Sequence, residues 1–77
     1  MSNQIECIVA GGPQHGSIFQ HQLDNPNTLP PVIRTSDGSA YAAAARRVSL
    51  RDMRARCVLL HPGATGQQFL SMLAWAN

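Results

Sequence analysis

The sequence predicts an α+β domain: a small antiparallel β-sheet of about five strands, with one C-terminal helix packed on it. Three observations lead there. Short apolar or alternating runs are separated by glycine-, proline- and asparagine-rich punctuation through most of the chain, the pattern of strands joined by turns. The last dozen residues change period, with Phe69, Met72, Leu73 and Ala76 at spacings of three and four, the stripe of an amphipathic helix. The chain has 77 residues, which makes residues 1–77 a single domain with a thin core.

The first strand is expected over residues 4–10, where Ile5, Cys7, Ile8 and Val9 form a compact apolar run that stops at Gly11-Gly12-Pro13. Gly11, Gly12 and Gly16 tolerate positive φ and Pro13 has no N–H, so residues 11–16 read as a turn of special backbone geometry. A second strand, residues 17–22, follows and closes a hairpin with the first. Asp24-Asn25-Pro26-Asn27 and the tandem Pro30-Pro31 make a loop that leaves along an extended path. Residues 32–35 form a short third strand, and Asp37-Gly38 is the dipeptide of a type I′ hairpin turn into the next.

Residues 40–48 carry two competing signals. Tyr41 and the run Ala42 to Ala45 favour helix by propensity, yet the segment sits between a hairpin turn and a second turn near Arg51-Asp52. Beyond that turn, residues 53–61 alternate: Met53, Ala55, Cys57, Leu59 and His61 share one face, and Arg54, Arg56, Val58 and Leu60 the other. Cys57 to Leu60 is apolar on both faces, which marks a central strand in need of a partner. A meander of strands 40–48 and 53–61 supplies that partner and is the preferred reading. His61-Pro62-Gly63 ends the strand. Thr65 followed by Gln68 is a capping box, and it opens a helix over residues 66–76.

Composition narrows the function classes. Apolar residues are 44% of the chain and charged residues only 13%, about half the usual charged share, so part of the surface is suited to being covered. A domain this small gains stability from a second copy or a partner, which makes a homodimer an expectation of size. No stretch reaches the roughly 20 apolar residues of a membrane span, and no membrane contact is expected. The polar start and short first apolar run lack the form of a secretory signal, so the expected compartment is the cytoplasm. There the two thiols, Cys7 and Cys57, are expected to be reduced; a disulfide requires their strands to be neighbours.

The opening strand and Gly11-Gly12-Pro13-Gln14-His15-Gly16 resemble the start of many short proteins of tailed bacteriophages and prophages, which open with a strand and a Gly-Gly-Pro-x-x-Gly turn. The second half is similar too: a strand led by Tyr41, a short turn at residues 50–52, and an apolar strand from Val58 ending at His61. The resemblance covers about half the chain. Its motifs are structural, and the Ala42 to Ala45 run and the capped helix depart from the pattern. It implies a phage-type accessory protein in a bacterial host cytoplasm, whose partner would be a host or defence factor.

Catalytic and cofactor chemistry find little support. No Cys-x-x-Cys pair is present, and Cys57 and His61, four apart on a strand, have Cα atoms about 13 Å apart, too far to be adjacent ligands of one metal ion. Both cysteines lie in apolar strand contexts that keep a thiol protonated and inert. The four carboxylates, Glu6, Asp24, Asp37 and Asp52, are scattered, and Asp37 and Asp52 are explained as turn formers. The glycines of residues 11–16 lack the Gly-Lys-Ser/Thr of a nucleotide loop. The expectation is a non-enzymatic protein without cofactor or metal. A Cys-dependent enzyme is the least favoured alternative and would need an exposed, reactive thiol.

The sharpest functional signal is positive charge. The net charge is only +2, but all six basic residues are arginine, and five of them, Arg46, Arg47, Arg51, Arg54 and Arg56, fall within eleven positions. In the meander they gather at one sheet end, with Arg54 and Arg56 on one face and Arg46 in place to lie across from one of them. Such a patch suits an acidic protein partner, which is the preferred reading. The phosphates of a nucleic acid are the second reading. A solvated edge that deters aggregation is the plain alternative. The few aromatics, Phe19, Tyr41, Phe69 and Trp75, leave no visible platform for stacking single-stranded bases. Trp75 is expected to close the core or to meet a second copy.

Overall fold

The fold was established from a computed structural model that describes residues 4–25, 29–35, 38–48 and 51–76. It contains strands β1 (Gln4–Ala10), β2 (Ile18–Gln22), β3 (Val32–Arg34), β4 (Ala40–Val48) and β5 (Ala55–Leu60), followed by helix α1 (Gly66–Ala76). The expected elements all occur, with the second and third strands shorter by one residue and the fifth by three, Met53, Arg54 and His61. Residues 40–48 are strand: pairing with apolar β5 overrides the helix propensity of the alanines. Of the predicted Asp37-Gly38 turn, Asp37 lies outside the described residues, as do Pro26, Asn27 and Leu50 of the other two expected turns. Gly38 has a φ of +89°, and its N–H donates to Thr35 O at 3.0 Å.

The sheet order is β2-β1-β5-β4-β3. The β1–β2, β3–β4 and β4–β5 pairs are antiparallel, as the hairpin and meander reading requires. The expectation of a purely antiparallel sheet is corrected at its centre. There β1 and β5 run parallel, with Cys7 opposite Cys57 and Val9 opposite Leu59. The reason is burial. β1 and β5 are the two strands apolar on both faces, so each is covered best beside the other in mid-sheet, although residues 11–54 separate them.

The two faces are covered differently. Ile8, Ala10 and Val58 lie under α1, packed by Phe69, Met72, Leu73, Trp75 and Ala76, so the predicted stripe of the helix is its buried face. Leu70, off that stripe, is 63% exposed. The capping box is present: the Gln68 N–H donates to Thr65 Oγ1 at 3.1 Å, and the Thr65 N–H to Gln68 Oε1 at 3.0 Å. Among the described residues no helix covers the opposite face, yet Ile5, Cys7, Val9, Cys57 and Leu59 are fully buried there. The sheet curls around them. Leu23, Ile33 and Tyr41 complete the interior, with Phe19 and Leu29 packed against it. Curling also brings the outer edges β2 and β3 to the walls of one cleft of about 630 Å³, lined by β2 together with Arg34 and Thr35.

A β-bulge interrupts the β4–β5 ladder between Ala43 and Ala45. Tyr41 and Ala43 face the curled interior, whereas Ala45 packs beneath α1. The extra residue therefore reverses the alternation before the arginines arrive. Among the described residues no helix is long and apolar enough to cross a membrane.

Candidate functional site

The five clustered arginines occupy one structural unit, the end of the β4–β5 hairpin, but they divide into distinct environments. Arg46 lies opposite Cys57 and Arg47 opposite Arg56. The expectation that Arg46 faces Arg54 or Arg56 is thus corrected, and the bulge is the reason: it shifts the register by one and places Arg47 there instead. Arg47, Arg51 and Arg54 are exposed and Arg46 is half-buried.

Arg56 is drawn inward. Its Nε donates to Glu6 Oε1 at 3.0 Å, and its Nη2 to Asp52 Oδ2 at 2.7 Å. The guanidinium carbon stands 5.3 Å from the centroid of the Trp75 ring. Nη1 is buried without a hydrogen-bond partner among the described residues, and the π face of Trp75 offsets part of that loss. Arg56 therefore joins β1, the hairpin turn and α1. Of its donors, Nε and Nη2 are engaged within the domain and hold the arm against it. Trp75, half-buried against the helix-side core and beside this guanidinium, closes the core, as one of its two expected roles had it.

The turn of the arm is shaped by Asp52. Its Oδ1 accepts the Arg54 N–H at 3.1 Å, an Asx-type turn, while Oδ2 takes Arg56. The hydrogen bond from the Arg54 backbone, and then those from the Arg56 side chain and the charges of both arginines, hold the Asp52 carboxyl below its ordinary pKa. Next to it, Met53 adopts φ +59°, a left-handed conformation uncommon for a side chain of this size, and is 71% exposed. Val48, on the facing strand, is 52% exposed. Beside the arm, Arg54 and Ala55 join Gln4, Glu6 and Gln20 around a cleft of about 530 Å³.

The second candidate region is the junction of the loops that follow β1 and β5. The Gly11 N–H donates to His15 Nδ1 at 2.8 Å and the Gly63 N–H to His61 Nδ1 at 2.9 Å. Each imidazole is thereby tied to its own loop's backbone, with the Tyr41 ring 5.8 Å from that of His61. These contacts explain the residues as loop structure. Among the described residues no three His, Cys, Asp or Glu side chains converge as a metal site.

The cysteines are free and fully buried. Sγ of Cys7 lies 3.8 Å from Ile5 O, and Sγ of Cys57 lies 3.8 Å from Val58 O. The two thiols occupy paired positions on adjacent strands. Their interaction lowers the Cys57 pKa, with the positive charge of Arg46 adding to the effect, and it raises that of Cys7, as burial does too.

Sequence reasoning missed three features. Glu6 partners Arg56 across fifty positions, Met53 adopts a left-handed backbone, and Cys7 directly opposes Cys57. The first and third follow from the parallel β1–β5 pairing, which no local pattern encodes. Searches against known protein families, curated proteins and solved structures return no match.

Proposed function

We propose that this protein is a non-catalytic binding module whose β4–β5 arm docks an acidic protein surface through Arg46, Arg47, Arg51 and Arg54, with Arg56 as the internal strut that fixes the arm. The observation that carries the reading is the company these arginines keep: Val48 and Met53 stand exposed on the same hairpin end. Arginine and methionine beside apolar surface is the composition of a protein interface, where the apolar contacts supply affinity and the charges steer encounter. A single-stranded nucleic-acid surface instead wants arginines interleaved with stacking aromatics, and residues 46–48 and 51–55 of the arm include no aromatic side chain.

A second feature supports a binding role. Arg47 stands directly across from Arg56, and like charges so placed weaken a strand pair. Retaining Arg47 there is understandable when its charge serves a partner rather than the fold. The likeness to short tailed-phage proteins supports placing this binding in an accessory role in a bacterial cytoplasm, with a host or defence protein as the acidic partner.

The test is fluorescence anisotropy with a labelled Glu/Leu peptide, a single-stranded RNA and a DNA duplex, each at several salt concentrations. The peptide is expected to bind at moderate salt, to weaken as salt is added, and to bind at least tenfold less tightly to Arg47→Thr/Arg54→Thr. Met53→Ser is expected to weaken it at every salt concentration. Arg47→Thr alone is expected to melt no lower than wild type, which separates loss of binding from loss of fold. Tighter binding of RNA or DNA than of the peptide, lost in the same variants, would overturn the protein-partner reading.

A further inference from the structure

The interior of the curled sheet holds a feature the binding role does not use. Cys7 and Cys57 occupy paired positions on adjacent parallel strands and belong to the same buried cluster. Paired strands lie about 4.8 Å apart, within the Cα window that a disulfide spans without moving the backbone. Two directly opposed, fully buried thiols on the two central strands are one redox step from a covalent clamp across the sheet.

We propose that Cys7 and Cys57 are an oxidation site that closes to an intramolecular disulfide when the protein meets a hydroperoxide, and reopens with a thiol reductant. The pairing orders the steps. Cys57 ionises first, because Arg46 stands opposite it on β4 and the positive guanidinium favours the thiolate. The Cys57 thiolate attacks one peroxide oxygen, the O–O bond breaks, and the departing oxygen takes a proton to leave as water or alcohol. Cys57 is then a sulfenic acid. The Cys7 sulfur attacks the Cys57 sulfur, the S–O bond breaks, and hydroxide leaves as water with the Cys7 proton. Both sulfurs are oxidised, and one peroxide is reduced to two molecules of water or to water and an alcohol. Both thiols are shielded, so the oxidant enters through transient opening of edge strand β2, whose Phe19 lies across from Cys7.

The inference does not rest on the docking reading, although Arg46 belongs to both sites. It is tested by treating the folded, reduced protein with hydrogen peroxide, blocking free thiols, and recording intact mass, a non-reducing peptide map and the melting temperature. The expected product is a monomer lighter by two hydrogens, with the Cys7 and Cys57 peptides joined. It should melt at least about 10 °C higher than the dithiol form, since the bond closes a loop of some fifty residues in the unfolded chain, and dithiothreitol should reverse the change. Arg46→Gln is expected to slow the oxidation several-fold. Cys7→Ala is expected to leave a sulfenic or sulfinic acid at Cys57 and no rise in melting temperature. If that variant does not fold, the peptide map of the wild type decides alone. Disulfide-linked dimers, over-oxidation without a Cys7–Cys57 link, or two thiols still free after prolonged peroxide would each overturn the proposal.

Discussion

Gly12 and Gly16 both have positive φ, but they are glycines for different reasons. A Cβ on Gly12 would stand 2.4 Å from Cδ2 of the His61 ring, whereas one on Gly16 would meet nothing within 4 Å. Gly12→Ala therefore combines backbone strain with a collision against a ring held by the Gly63 N–H, and Gly16→Ala carries strain alone. Gly16→Ala is expected to cost about 1 kcal/mol and Gly12→Ala clearly more, on the order of 2–3 kcal/mol. Chemical denaturation of the two variants checks the order, and His61→Ala should recover part of the Gly12→Ala loss only. The acid response belongs to single residues as well. The Asp52 carboxyl has a folded-state pKa below its unfolded value. Its contribution to stability is therefore present above the unfolded value, about 3.9, and is lost as pH falls through the lower folded value. Wild type should exceed Asp52→Asn in melting temperature near neutral pH, and the gap should close progressively as pH drops below about 4.

Helix α1 and strand β4 show how an element's ends and irregularities set what its residues do. Around α1, the reciprocal bonds of Thr65 and Gln68 satisfy donors that would otherwise be orphaned at the first turn. Thr65→Ala is expected to cost about 1 kcal/mol and lower the melting temperature by several degrees, read by calorimetry, while the arm's peptide affinity stays unchanged. In β4 the bulge matters more than the alternation. Without the extra residue, Ala45 would share the face of Tyr41 and Ala43, and the arginines would exchange sides. With it, Arg46 faces the Cys57 thiol and Arg47 faces Arg56. A strict period of two read along residues 40–48 thus assigns the two arginines to the wrong neighbours, because a bulge follows from how β4 must twist to stay paired and the side-chain pattern leaves no sign of it.

In the whole molecule, stability is graded outward from the parallel pair. β1 and β5 hold most of the fully buried side chains, while β2 and β3 are edges, with Ile18 and Val32 each 52% exposed. Amide hydrogen exchange is expected to protect β1 and β5 most strongly. Amides of β2 and β3 should exchange at least tenfold faster than those of the centre, because edges open without disrupting the core. Uniform protection across all five strands would contradict a sheet whose edges open independently, and with it the route by which peroxide reaches Cys7.

The list of elements is legible in local stretches of the chain. The apolar runs, the glycine and proline punctuation, the capping box and the 3.6-residue stripe are local signals, and each element they named is present. The sequence also exposed the arginine cluster, because charge density along the chain is visible without coordinates. Which strands are neighbours, and in which direction, emerges from the folded sheet. The apolar runs of residues 4–10 and 55–60 mark both strands as central, but strand alternation is the same for parallel and antiparallel partners, so the runs leave the choice of neighbour and its direction open. That one pairing brings Glu6 to Arg56 and Cys7 to Cys57. It turns one arginine of the cluster from a surface charge into a strut. The physical reason is that burial rewards total apolar surface removed from water and is indifferent to sequence separation, while the patterns legible in a sequence are all local.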